Sequence, residues 1–208
     1  MKALLVQLLA GILLSSLLGG CAGTRPRSDV QEYLEEATGS SVTYVTTPAA
    51  FVLGQPGLAE SGRDYVYLAP IVVSSGGDRS YWLWLGVWST VDRQARHEDA
   101  SPLRLGALQI VADDEPMDLE PQSVDSNPAG IRQMPYATPV PPIQEFLVPV
   151  TRSQIQRLGS ARVLTLTDRP DGGASRLWRG DDRAAAVLSE FYQEAGAVRT
   201  RSAADNGR

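Results

Sequence analysis

Residues 63–90 read RDYVYLAPIVVSSGGDRSYWLWLGVWST, two long apolar runs on either side of a glycine pair. Strands are punctuated in this way: aromatic and β-branched residues fill the runs, and Gly, Ser and Asp supply the turn. The spacing predicts strands over 65–74 and 80–90, joined as a hairpin by a loop of four to five residues. Pro70 lacks the N–H that a ladder needs, which predicts an edge position or a bulge for it.

Shorter runs of the same kind surround the hairpin: VTYV, FVL, LRLGALQIV, QEFLVPV and ARVLTLT, each bounded by turn-forming residues. Three segments carry helical spacing instead. SDVQEYLEEATG (28–39) pairs Ser28 with Gln31 as a capping box and ends at Gly39. TRSQIQRLG (151–159) starts at Thr151 with Gln154 and stops at Gly159. GDDRAAAVLSEFYQEAG (180–196) sets Ala184, Val187, Leu188, Phe191 and Ala195 on one face. Eight prolines between Pro116 and Pro149 mark an extended connection laid over the domain surface. Short strands without a βαβ rhythm predict a mainly β fold, an antiparallel β-sandwich with two or three short helices. An immunoglobulin-like layout stays open, although the Cys…Trp…Cys pattern of that class is missing.

The strand YWLWLGVWST aligns Trp82, Trp84 and Trp88 on one face around Gly86. Two readings compete: a ring platform that stacks a glycan, or a central strand buried on both faces. His97, the single histidine, lies beside Glu98 and Asp99 in a segment without apolar periodicity. It reads as a loop histidine, with general-base chemistry as the sharper alternative. The acids Asp113, Asp114, Glu115, Asp118 and Glu120 read as a charged hairpin turn, since their spacing is not that of a calcium loop. Asp181 and Asp182 fall where acids favour a helix N-terminus. No metal or cofactor is expected.

The N-terminus answers a different question. Lys2 is followed by sixteen uncharged residues, ALLVQLLAGILLSSLL, and then by Gly19, Gly20 and the sole cysteine, Cys21. A charged start, an apolar stretch and small residues before a cleavage point make a secretory signal. Leu18-Gly19-Gly20-Cys21 resembles the lipobox of bacterial lipoproteins. The resemblance implies cleavage before Cys21 and attachment of diacylglycerol to its sulfur, with acylation of the new amino group. Ala22, in place of an aspartate, implies the inner leaflet of an outer membrane. Multiple acyl chains give durable attachment, at about 0.8 kcal/mol per buried CH₂.

These features divide the chain into a signal peptide (1–20), a lipidated tether (21–27), one periplasmic β-rich domain (28–196) and a disordered tail (197–208). Beyond Lys2 the basic residues are all arginines, 18 against 24 acids. That balance excludes a polyanionic partner such as nucleic acid. The expected function is a non-enzymatic accessory or interaction subunit of the cell envelope, held to the membrane through Cys21 and bound to an envelope protein. The alternative is a glycan- or peptidoglycan-binding module using Trp82, Trp84 and Trp88, and a more distant one is an envelope hydrolase using His97.

Overall fold

The computed structural model describes residues 29–57, 60–91, 103–136 and 144–205, with side chains as far as residue 195. The signal segment, Cys21, the tether, His97 and part of the proline-rich connection lie outside the described residues.

The chain is mainly β and antiparallel, as its period-two runs require. Among the described residues eleven strands form it: β1 (Val30–Glu35), β2 (Ser40–Val45), β3 (Ala49–Gly54), β4 (Arg63–Ser75), β5 (Asp78–Ser89), β6 (Ala107–Ala112), β7 (Glu115–Leu119), β8 (Gln122–Ser123), β9 (Gln144–Val150), β10 (Leu164–Arg169) and β11 (Arg176–Gly180). Helices α1 (Arg152–Ser160) and α2 (Ala184–Asp205) complete it, with a 3₁₀ turn at Val124–Ser126. Where two facing sheets were expected, hydrogen bonding joins every strand into one. Its order is β7-β6-β10-β11-β3-β4-β5-β9-β8, and β2, carrying β1, pairs with β4 beside β3. The sheet curls into a half-barrel. Its second layer is the helix pair rather than another sheet.

The hairpin is β4–β5, tighter than its sequence predicts. Ser75 opposes Asp78, and only Gly76 and Gly77 turn the chain, at φ of 59° and 95°. Positive φ at both turn positions matches the natural strand twist and suits glycine. Pro70 is at neither an edge nor a bulge. β4 has neighbours on both sides, with β3 along residues 63–68 and β2 along 71–74, so Ala69 and Pro70 fall at the seam between them. The missing N–H of Pro70 therefore costs no ladder bond.

Where a helix is expected over 28–39, the described residues 29–39 form none. Val30–Glu35 is β1, hydrogen-bonded along its length to β2, and Gly39 (φ 65°) closes the turn between them. Val30, Tyr33 and Leu34 fit a helical spacing, but pairing to a neighbouring strand outweighs a six-residue helical preference. The other two helices hold. Thr151 and Gln154 form the capping box that starts α1, and Ala184, Val187, Leu188 and Phe191 are buried. Asp181 accepts a hydrogen bond from the Arg183 N–H ahead of α2. Where a disordered tail was expected, α2 continues to Asp205 through a stretch rich in Ala and Arg, both strong helix formers. Gly159 lies inside α1 rather than ending it. A Cβ there would stand 2.8 Å from Ser189 Cα, so it marks the point where the two helix backbones meet.

One face of the sheet, carrying Phe51, Leu68, Leu83, Leu85, Val148, Leu166 and Trp178, forms the main core with Ile155, Leu158, Leu188 and Phe191 of the helices. The acidic cluster is a hairpin turn, as expected: Asp113 and Asp114, at φ of 47° and 70°, link β6 to β7. Asp113 is held below the usual carboxylate range by the backbone N–H groups of Arg162 and Val163. Glu115 pairs with Arg157, and Asp118 accepts from Gln109. Among the described residues no helix is long and apolar enough to cross a membrane.

Candidate functional site

The opposite face of the sheet is only partly covered. Residues directly opposite in an antiparallel ladder share a face, so the register aligns Tyr65 with Trp88, Tyr67 with Gly86 and Glu145, and Ala69 with Trp84 and Leu147. Part of this face is covered by a strap, residues 124–136, which touches β1, β2, β4 and β5. Hydrogen bonds tie it to the sheet: the Arg132 N–H donates to Glu35, the Tyr33 hydroxyl donates to the Gln133 carbonyl, and the Tyr136 hydroxyl donates to the Pro70 carbonyl at 3.2 Å. The last bond occupies the seam between β2 and β3, and the Val45 N–H approaches the same hydroxyl oxygen. Burial dominates, lifting the Tyr136 pKa well above that of a free tyrosine.

The strap explains the tryptophans. Trp84 has no exposed surface. Its indole lies over Gly86, where a Cβ would come 2.5 Å from Cη2, and Tyr136 stacks on it with ring centroids 4.5 Å apart. Tyr44 meets Tyr136 edge-on, and Tyr33 meets Tyr44 likewise. Trp82, Trp84 and Trp88 do share a face, but they do not present one continuous ring surface, because Tyr136 caps the middle indole. Trp82 is half-buried and donates to Ser80. Trp88, also half-buried, stacks on Tyr65 at 5.0 Å, and Tyr65 stacks on Tyr67 at 6.1 Å. The partly open aromatic row is thus Trp88–Tyr65–Tyr67. Burial, followed by the neighbouring Tyr65, raises the Tyr67 pKa.

Gly86 has a role its sequence context leaves open: it makes room for the neighbouring indole. Gly86→Ala is expected to push Trp84 out from under Tyr136, at a cost of about 1–3 kcal/mol for overpacking. Urea unfolding measures that loss, and red-shifted tryptophan emission reports the displaced indole.

Between the strap and β9 lies a cleft of about 530 Å³ lined by Asp125, Asn127, Arg132, Met134, Tyr136 and Glu145, among others. Its volume falls within the range of small-ligand sites. Glu145 is the acid on β9 beside Gly86, and its pKa is raised. Burial is the main cause and the Asp125 charge adds to it, while the Trp84 indole N–H works in the opposite direction. Asn127 ends the 3₁₀ turn in a left-handed conformation, φ 48°, which shapes the rim. Neither Glu145 nor Tyr136 stands out in the sequence. The available signal was an acid in the otherwise apolar run QEFLVPV. Among the described residues no group of three or more His, Cys, Asp or Glu side chains could hold a metal.

No family model matches this chain, and no curated protein or solved structure matches it either.

Proposed function

We propose that this chain is a lipid-anchored, non-enzymatic interaction subunit of an envelope assembly. The lipid sits on Cys21, the β domain faces the periplasm from the inner leaflet of the outer membrane, and a partner protein docks on the half-covered face. The observation that carries this reading is the cleft beside Glu145. Its walls are β9, paired to β5 and β8, and a strap clamped to Glu35 and Tyr33 of β1 and to Pro70 of β4. Such a site is preorganised, so docking demands little ordering of the protein.

The Trp88–Tyr65–Tyr67 row supports a second reading, a glycan-binding module in which aromatic side chains meet the apolar face of a sugar. Trp82 and Trp88 remain available to it, whereas Trp84 supports the fold beneath Tyr136.

Attachment is tested by Cys21→Ser in the source cell. The variant is expected to remain uncleaved, to incorporate no labelled palmitate and to change its fractionation between membranes. Normal lipid labelling of the variant would refute the anchor.

A further inference from the structure

Away from the strap, the outer face of the sheet crosses β11, β3, β4 and β5. The register sets Arg179, Val52, Tyr65 and Trp88 side by side in one row across these strands. Arg63 precedes Tyr65 by two residues on β4 and therefore shares its face. Arg179 is exposed and Arg63 half-buried, and among the described residues neither forms an ion pair. No acid stands in this row. Asp64, between Arg63 and Tyr65, belongs to the other face and is buried. The carboxylates that flank the row stand at the two ends of the next one: Asp181, beside Ala50, and Glu145, beside Gly86. Asp181 is engaged with the Arg183 N–H.

The rings add a second, independent observation. Tyr65 lies nearly parallel to Trp88 and to Tyr67, at interplanar angles of 25° and 9°. Ring faces are therefore turned toward one another, and edges and hydroxyls toward solvent. The edge is the positive part of an aromatic ring. Neither the Tyr65 nor the Tyr67 hydroxyl has a hydrogen-bond partner among the described residues. A surface of guanidinium groups, free hydroxyls and ring edges donates hydrogen bonds and attracts negative charge. A cation gains little from it, and a neutral sugar needs the ring faces that the stacking occupies. A carboxylate satisfies it: guanidinium groups grip both of its oxygens, and tyrosine hydroxyls donate to it. Trp, Tyr and Arg are also the residues that dominate protein–protein contacts. Beyond Lys2 the chain carries 18 arginines against 24 acids, so an acidic ligand is repelled by the molecule as a whole and needs such a local pair of cations.

We infer that this open part of the face docks an aspartate- or glutamate-bearing segment of a partner protein, its carboxylates paired with Arg179 and Arg63 across the Trp88–Tyr65–Tyr67 row. The inference rests on reading the half-covered face as a protein-docking surface and names the chemistry of what docks there. Arg179 is solvent-exposed, so binding weakens as salt rises.

The test uses the full-length chain in detergent micelles, with the indole N–H resonance of Trp88 as reporter, assigned by Trp88→Phe. The probes are an acetylated Glu-Tyr-Glu-Tyr-Glu peptide, its Gln-Tyr-Gln-Tyr-Gln counterpart, a galacturonate oligomer and an N-acetylglucosamine oligomer. The Glu peptide is expected to move the Trp88 resonance saturably at low salt, and the Gln peptide to leave it in place. Arg179→Gln and, separately, Arg63→Gln should each weaken binding about tenfold or more, the scale of one charge-assisted hydrogen bond. Arg179 is exposed, so its variant keeps the test meaningful should Arg63→Gln fold poorly. Arg152→Gln, on the helix layer where Arg152 lies over the Tyr192 ring, should leave binding unchanged. No movement with the Glu peptide, equal movement with the Gln peptide, equal loss in Arg152→Gln, or movement with either saccharide alone would overturn the inference. If a protein still crosslinks from Tyr67 in an Arg179→Gln, Arg63→Gln chain as well as in wild type, the acidic segment is wrong while the docking reading survives.

Discussion

Asp168→Ala is expected to destabilise this protein by about 3–5 kcal/mol, the usual cost of removing one member of a buried ion pair. Asp168 is 1% exposed, and four donors converge on its carboxylate. Trp178 Nε1 lies at 2.8 Å, Arg176 Nε at 2.9 Å and the Gly106 N–H at 3.2 Å, while Arg176 Nη2 bonds to the second oxygen. Trp178 is a fully buried core residue, so its orphaned indole N–H would have no water to turn to. Arg176 would keep its bond to the Arg104 carbonyl and about a quarter of its side-chain exposure, which limits the cost on that side. Against a total stability of roughly 5–15 kcal/mol for a domain of this kind, the loss would be visible as a large drop in the urea midpoint. Asp168→Asn preserves the shape and one acceptor, and should fall between wild type and Ala. Equal stability of all three proteins would remove this network from the account of the fold.

The second large effect belongs to Gly159. In an exposed helix Gly→Ala stabilises by about 1 kcal/mol, because alanine loses less backbone entropy. Here the sign should reverse. The new methyl would stand 2.8 Å from both Ser189 Cα and Ser189 N, and 2.9 Å from the Leu188 carbonyl carbon. These are backbone atoms within α2 and cannot swing aside, so α1 must shift and break its contact through Ile155 and Leu158. A destabilisation of about 3 kcal/mol is expected from overpacking, measured as a lower Tm with the capping box intact. A gain in stability would show that the helices are not in backbone contact.

Much of the sheet is legible in the sequence because period-two apolar runs bounded by Gly, Pro and Ser have few other solutions. The β4–β5 hairpin, β9, β10 and the buried face of α2 follow directly. β1 does not, because VQEYLE fits both periods and only its pairing with β2 decides. Pro70 misleads for a related reason: a proline in a central strand reads as an error until two different strands are seen to share one edge of β4. The candidate site was half visible. Alternation correctly aligned the three tryptophans, but the capping of Trp84 depends on Tyr136, 52 residues further on in a proline-rich segment with no periodicity to reveal where it lies. Glu145 becomes meaningful only through its register with Gly86.

The cleft face as docking surface is the central claim, and site-specific photocrosslinking in the source cell tests it most directly. A photoreactive residue at Arg132, on the cleft, or at Tyr67, on the aromatic row, is compared with one at Leu177, exposed on β11. The account predicts that one envelope protein is captured from the first two positions, in near-equal amount to this chain, and is not captured from Leu177. Capture from Leu177 alone, or no protein from any position while glycan is recovered, would contradict it.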